Sequence, residues 1–260
     1  MQMALAPDRG VLVPRMPGVV CGHPRLRRTG QLVGVAFAGV ALVAGILWVL
    51  TPPVDQAEEP AHILVTDHGG RDLDGDGIDA PRKFAAAVVA TEDTRFYRHW
   101  GIDFLGLPRA AWVALTDSET DPGGSTLDQQ LAKQLYFDGA QGGIWTTTEQ
   151  VILAVKLDTL YSKPQILEMY ASVAYFGHGY YGLDAAARGY FGVRPGQVSW
   201  AQAAMLAGVL QAPTRDDPLT HLDEARARQH HVLARLVDNG ELTAAQADVA
   251  TAAPLHLAHP

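Results

Sequence analysis

Hydrophobic and polar positions divide the chain into one long apolar run, a polar stretch and a series of amphipathic segments. Gln31 to Leu50 carries no charge and is mostly apolar, about the 20 residues a helix needs to cross a bilayer. Thr51 to Asp79 breaks that pattern and reads as a linker, with a short strand at Ile63-Leu64-Val65. From Asp79 onward the apolar positions recur mainly at helical spacing. Pro81 suits a first helical turn and predicts a helix through about Tyr97. Thr126-x-x-Gln129 is a capping-box pattern that opens a helix to about Phe137, with Leu127, Leu131 and Leu135 on one face. Further helices are predicted over about Thr148–Leu160, Pro164–Tyr175, Asp184–Tyr190 and Ser199–Leu210. Glu224–Asn239 follows, closed by Gly240, and Thr243 caps a short last helix. Phe176 to Gly182 is a glycine–aromatic turn, and no strand series or internal repeat appears. The pattern predicts a mainly α body over residues 80–255.

Charge adds direction to this layout. The chain has 260 residues, 48% of them hydrophobic, and a net charge of −8. Residues 1–30 carry +4 and residues 31–50 carry none, which leaves −12 for the rest by difference from −8. Such an acidic body argues against general nucleic-acid binding. The single cysteine, Cys21, excludes an intrachain disulfide and a cysteine-based metal site. Residues 1–30, rich in Arg, Pro and Gly, read as a disordered basic tail. Arg25, Arg27 and Arg28 flank the apolar run on one side, and Asp55, Glu58 and Glu59 on the other. The positive side stays in the cytoplasm. The expected layout is therefore a cytoplasmic tail (1–30), a single-pass anchor in the cell membrane (31–50), an acidic linker (51–79) and an extracytoplasmic domain (80–255). A cleaved signal peptide is the rival reading, but its apolar region is usually shorter and no clean Ala-x-Ala site follows Leu50. Asp72 to Asp79 starts like a calcium loop, yet its twelfth position is Lys83 where a bidentate Glu is needed, which favours an acidic solvated turn.

Two stretches carry the chemistry. The apolar segment Phe84–Val89 runs straight into Glu92, Asp93, Arg95, Phe96, Arg98, His99 and Trp100. Scaffold followed at once by titratable groups is how a positioned acid or base looks, although a solvated helix end has the same composition. In the second stretch, Gly123 to Lys133, residues Ser125 and Thr126 stand at a helix N-terminus, where free N–H groups favour an anion. Gln129 and Lys133 share a helix face with Gln130 beside it, so hydroxyls, amides and one ammonium converge on what suits a phosphate or a sugar. An ordinary capped helix with a polar face reads the same way.

Together the two stretches resemble the motifs of glycosyltransferase family 51, the peptidoglycan polymerases. The family's Glu-Asp-x-x-Phe-x-x-His-x-Gly is met by Glu92, Asp93, Phe96, His99 and Gly101. Its Gly-x-Ser-Thr-x-x-Gln-Gln-x-x-Lys is met by Gly123, Ser125, Thr126, Gln129, Gln130 and Lys133. Arg109, the segment Tyr161 to Tyr170 and the Tyr175-Phe176-Gly177 turn also fit, so the resemblance runs from about Pro81 to Leu236. It implies a lysozyme-like helical fold with a smaller membrane-facing lobe, for which Trp100, Phe104, Trp112, Tyr136, Phe137 and Trp145 are candidate interfacial aromatics, with core packing as the commoner fate of such residues. It implies lipid II, a lipid-linked disaccharide-pentapeptide, as substrate and a growing glycan strand as acceptor. Glu92 would be the general base for an inverting attack that expels undecaprenyl pyrophosphate. Asp93, Phe96, His99, Arg109, Ser125, Thr126, Gln129, Gln130 and Lys133 would bind substrate, and coupling to Asp93 would help to raise the Glu92 pKa. A divalent cation, Mg or Mn, at the pyrophosphate, membrane lipid and other cell-wall synthesis proteins are the implied company. With no transpeptidase segment following, the monofunctional type is expected.

The family's third motif, Arg-Lys-x-x-Glu, falls on Thr146-Thr147-Thr148-Glu149-Gln150. Two threonines replace the basic pair, and Gln150 stands at the glutamate position with Glu149 one residue early. No Lys or Arg occurs from Gln134 to Val155. These changes fall on the pyrophosphate side of the reaction. They leave three functions in competition: an active divergent polymerase, a catalytically weakened lipid II-binding or scaffold protein, and a transferase for another donor or a lysozyme-like hydrolase. No metal-ligand spacing is present.

Overall fold

The structure, a computed structural model, describes residues 24–67, 80–106, 125–137 and 143–258. Arg109, Trp112, Gly123, Gly124 and the Asp72–Asp79 loop lie outside the described residues. The chain divides into two compact units, Met1–Ile46 and Leu47–Pro260.

In the first unit begins α1, Pro24–Leu50. The helix starts seven residues before Gln31, which corrects the expectation of a structureless tail through residue 30. Pro24 fits a first turn, where a missing N–H has no partner to lose. Val35, Leu42, Val43, Ile46, Val49 and Leu50 on this helix are all exposed. Among the described residues no helix is long and apolar enough to cross a membrane. Of α1, that statement covers the side chains at 34–35, 38–39 and 41–50.

Among the described residues of the second unit the regular structure is helical, apart from short 3-10 turns and one antiparallel bridge between Tyr175 and Tyr181. Its helices are α2 (Glu58–Asp67), α3 (Arg82–Glu92), α4 (Leu127–Phe137), α5 (Ile144–Leu160), α6 (Lys163–Val173), α7 (Leu183–Phe191), α8 (Trp200–Val209), α9 (Leu222–Asp238) and α10 (Ala244–Ala252). The expected strand at Ile63–Val65 is instead part of α2. Ala57, at the turn before it, and Ala61 are buried, Leu64 is half-buried and Ile63 is exposed, an inward period of three to four rather than two. Glu58 and Glu59 sit in its first turn, where acidic groups complement the helix dipole. The Ala57 N–H donates to the Tyr161 hydroxyl at 3.0 Å and pins this segment to the end of α5.

The core centres on α8, whose residues Ala201 to Val209 are all buried. A helix apolar on every side has to be enclosed, and α3 and α9 pack against it. Its small residues allow close approach: a Cβ on Gly208 would meet the Arg228 backbone at 3.2 Å. Truncating Leu206 there would cost about 2–5 kcal/mol. The Ser199 hydroxyl accepts the Gln202 N–H and closes a capping box, which fixes where the helix begins. Thr243 caps α10 in the same way, as its sequence predicts, and Gly240 takes the left-handed conformation after α9.

Candidate active site

The site begins where α3 stops. Phe84, Ala87, Val88 and Ala90 bury one face of that helix. Glu92 is its last residue, and Asp93 leaves helical geometry at φ −153° and ψ 77°. The expected continuation to Tyr97 is thus broken into α3 and a separate 3-10 turn, Phe96–Arg98. The break has a consequence for the two adjacent carboxylates. On a continuous helix they would lie about 100° apart; here they reach different partners.

Glu92 Oε2 accepts the side-chain amide of Gln130, from α4, at 3.0 Å. The Gln130 carbonyl oxygen in turn accepts the hydroxyl of Tyr170, from α6, at 3.0 Å. Tyr170 is buried, and burial together with the Glu92 charge pushes its hydroxyl well above the usual tyrosine range. It is therefore a neutral donor at any working pH.

Asp93 turns inward. Its Oδ2 lies 2.8 Å from His99 Nε2 and accepts the Leu127 backbone N–H at 3.1 Å. The N-terminus of α4 already holds an anion, and it is the chain's own. This differs from two expectations: Asp93 turns to His99 and Leu127 rather than sharing one open face with Glu92, and one N–H of the helix end expected to meet a substrate phosphate is already taken. Thr126 is spent in the same junction. Its hydroxyl donates to the Gly101 carbonyl at 2.7 Å, its N–H donates to Gln129 Oε1 at 2.9 Å, and its hydroxyl oxygen accepts the Gln129 N–H at 3.2 Å. The capping box read from sequence is formed, and it occupies Gln129. Gly101 itself stands at φ +73°, and a Cβ there would meet the Ala154 carbonyl oxygen of α5 at 2.6 Å.

Phe96 is fully buried, with the Lys163 ammonium 4.5 Å from its ring centroid. Lys163 donates to both carboxylate oxygens of Asp128 at 3.1 Å and pairs with Asp158. Burial raises the Asp128 pKa to about 6, against the pull of Lys163 and His99 and with repulsion from Asp158. Asp93, His99 and Asp128 could each offer one ligand atom to a metal, all within 4.8 Å of one another. Two carboxylates and an imidazole suit a divalent transition ion. Yet an ammonium already takes both oxygens of Asp128, and Asp93 is shared between His99 and the α4 N-terminus. Both carboxylates of the cluster are thus engaged within the chain, while the buried His99 Nδ1 has no hydrogen-bond partner.

The remaining positions lie outside this network. Ser125 is exposed, and Lys133 is half-buried on the same helix face as Gln130. On α5, Glu149 is exposed and Gln150 half-buried, next to half-buried Thr146 and exposed Thr147. Lys156, further along α5, is buried and donates to the Thr51 and Pro52 carbonyls at 3.0 Å, so its charge serves the segment after α1. Trp100, Phe104 and Trp145 are exposed, whereas Tyr136 and Phe137 pack partly against the core. Phe104 rides on a loop held by Asp103, whose carboxylate accepts Arg95 Nε at 2.9 Å and the N–H groups of Leu105 and Gly106 at 3.1 Å. Burial alone would raise the Asp103 pKa; these bonds and the Arg95 charge outweigh it and lower it.

Sequence reasoning did not reach Tyr170 as a partner of the site, nor the Asp128–Lys163–Asp158 network. Asp128 carried a usable signal, an acid flanked by Leu127 and Leu131 on an apolar face. Tyr170, 40 residues from Gln130, belongs to the family-like segment Tyr161 to Tyr170, which marks the residue but not its partner.

A family model described as transglycosylase matches residues 75–237. A Cupriavidus necator protein described provisionally as a transglycosylase is 39% identical over 180 residues, covering 68% of this chain and 76% of the relative. Penicillin-binding protein 1A of Escherichia coli (strain K12) is 39% identical over 168 residues, 65% of this chain and 20% of that protein. The Vibrio cholerae protein of the same name is 34% identical over 175 residues, 67% of this chain and 21% of that one. The match thus spans about a fifth of these penicillin-binding proteins. The crystal structure of penicillin-binding protein 1A from Haemophilus influenzae aligns with a TM-score of 0.43 at 19% identity, over 73% of this chain and 18% of that one.

Proposed function

This chain belongs to the transglycosylases of glycosyltransferase family 51, and on that footing we propose that it polymerises lipid II into glycan strands. The observation that carries the proposal is the Glu92 carboxylate, presented at the end of α3 and held by the second motif through Gln130. A hydrogen-bonded carboxylate at a helix end suits a general base. In the proposed reaction Glu92 takes the proton from the 4-hydroxyl of the acceptor sugar. The resulting oxygen attacks the anomeric carbon of the donor, and undecaprenyl pyrophosphate leaves with inversion. Lys133, three positions from Gln130 on the same face, and exposed Ser125 are the groups we assign to the pyrophosphate. A divalent cation, Mg or Mn, would add positive charge there. The substrate's own oxygens would hold it, since both carboxylates of the Asp93–His99–Asp128 cluster are engaged within the chain.

Membrane attachment belongs to the same proposal. The uncharged run Gln31–Leu50 would be about 30 Å long as a helix, the thickness of a bilayer core. The exposed apolar side chains of α1 support that use. Trp100, Phe104 and Trp145 are placed by the same reading at the headgroup level of the outer membrane face.

The test is polymerisation of lipid II by the full chain in detergent, with Glu92→Gln alongside. Wild-type polymer and a loss of about 100-fold or more in the variant are expected. Equal activity in both would remove Glu92 from its role. One feature favours a second reading, a lipid II-binding scaffold: residues 134–155 hold no cation for the pyrophosphate. Binding of lipid II with no polymer from the wild type would select it.

A further inference from the structure

Glu92, Gln130 and Tyr170 come from three different helices and form one hydrogen-bonded chain. Its chemistry has a direction. A side-chain amide has one accepting end and one donating end. In the observed orientation the carbonyl oxygen meets the Tyr170 hydroxyl and the nitrogen meets the carboxylate. Reversed, the amide oxygen would face the carboxylate with no hydrogen between them. Tyr170 is 2% exposed and lies in the last turn of α6, and its flanking residues Met169 and Ala171 are buried as well. Its hydroxyl therefore has one fixed place, while Gln130 is only half-buried and carries three rotatable bonds of its own.

We infer that Tyr170 is a positioning residue: its buried hydroxyl holds the Gln130 amide in the one orientation that presents an N–H to Glu92. The rigid end of the chain is thus in the core, and the polar end is at the reacting face. Asp93 takes no part, because it is committed to His99 and the Leu127 N–H. The catalytic meaning of this arrangement rests on Glu92 being the base. The arrangement itself does not, so the two can fail separately.

The test uses the full chain in detergent with 15N-labelled glutamine side chains. Gln130→Met assigns the Gln130 NH2 signals. Tyr170→Phe, which removes one oxygen and keeps the ring, is expected to speed exchange of those amide protons with water about tenfold and to bring the shift toward that of a free amide. In polymerisation of lipid II the same variant is expected to lower kcat about tenfold with KM within twofold, a split that general loosening of the fold would not give. Glu92→Gln separates who positions whom. With Tyr170 in place, the Gln130 amide should keep most of its protection in that variant. Full loss of protection in Glu92→Gln together with none in Tyr170→Phe would overturn the inference. Retained polymerisation in Glu92→Gln, with the amide still responding to Tyr170→Phe, would instead strike out only the role of Glu92 as base.

Discussion

Asp93 Oδ2 accepts the Leu127 backbone N–H at 3.1 Å, so a carboxylate of the first motif caps the helix that carries the second. Asp93 and Leu127 lie 34 residues apart in sequence, and this bond, with Thr126 on the Gly101 carbonyl, joins the ends of the two motifs. The adjacent pair Glu92–Asp93 then divides its work. One carboxylate faces Gln130, and the other supports the helix on which Gln130 is mounted. Neighbours in sequence serve different ends because α3 breaks between them.

Replacing Asp93 by Asn tests that support. Asn can still accept the Leu127 N–H but brings no charge to the helix dipole or to His99. The domain should lose about 1–3 kcal/mol, since a charge-assisted bond and a helix-end charge both weaken. For a unit of this size the melting temperature should fall by several degrees. Thermal unfolding of the full chain in detergent reads this directly, and an unchanged melt would refute the capping role.

Gly101→Ala should be worse. Alanine resists a φ of +73°, and its methyl carbon would sit 2.6 Å from the Ala154 carbonyl oxygen. The backbone on both sides is fixed, on one by α5 and on the other by the Thr126 bond. A loss of about 2–4 kcal/mol is expected, from strain and from a displaced Thr126 contact. Circular dichroism melts would show it. If the variant melts with the wild type, the close approach of Gly101 to α5 is not as described.

How far the sequence speaks can be judged residue by residue. The capping box at Thr126, the cap at Thr243, the apolar face of α4 and the helical spans of α8 and α9 are legible because they are local and periodic. The strand expected at Ile63–Val65 was misread because three β-branched or apolar residues in a row do not reveal which neighbours are buried. The helix expected through Tyr97 was broken at Asp93 by tertiary partners, His99 and Leu127, which no local propensity encodes. Glu92 and Gln130 were nameable from motif spacing. That Thr126 also bonds the Gly101 carbonyl, and that Tyr170 orients Gln130, depends on packing across 25 and 40 residues.

The third-motif region makes a prediction of opposite sign. Thr146 and Thr147 are half-buried and exposed, so longer basic side chains there need little repacking. Thr146→Arg with Thr147→Lys should strengthen handling of the leaving pyrophosphate. A hydrogen bond to a charged group is typically worth about 1.5–3 kcal/mol, or roughly one to two orders of magnitude in rate. The double variant should therefore polymerise lipid II at least about tenfold faster at low salt, with the advantage shrinking as salt is added. An unchanged rate at every salt concentration would mean that this end of α5 does not face the donor.

The Asp128 network makes the last prediction, and its sign follows from burial. The Asp128 pKa is raised from 3.8 to about 6 in the folded chain. Between these values the native state holds a proton that the unfolded state has released. The stability that this proton contributes is complete below about pH 4 and is lost as pH rises through about 6, where the carboxylate ionises beside Lys163, Asp158 and His99. Two units correspond to roughly 3 kcal/mol. Asp128→Asn cannot titrate, so the wild type should lose stability relative to the variant across that window and hold a constant difference above it. Denaturant unfolding of both chains at half-unit steps from pH 4 to 7.5 measures the difference. Lys163→Met should extend the falling limb to higher pH, because it removes the charge that draws the Asp128 pKa down while leaving Asp158 to push it up. Parallel stability curves for the wild type and Asp128→Asn would show that Asp128 is ionised throughout, with Lys163 rather than burial setting its state.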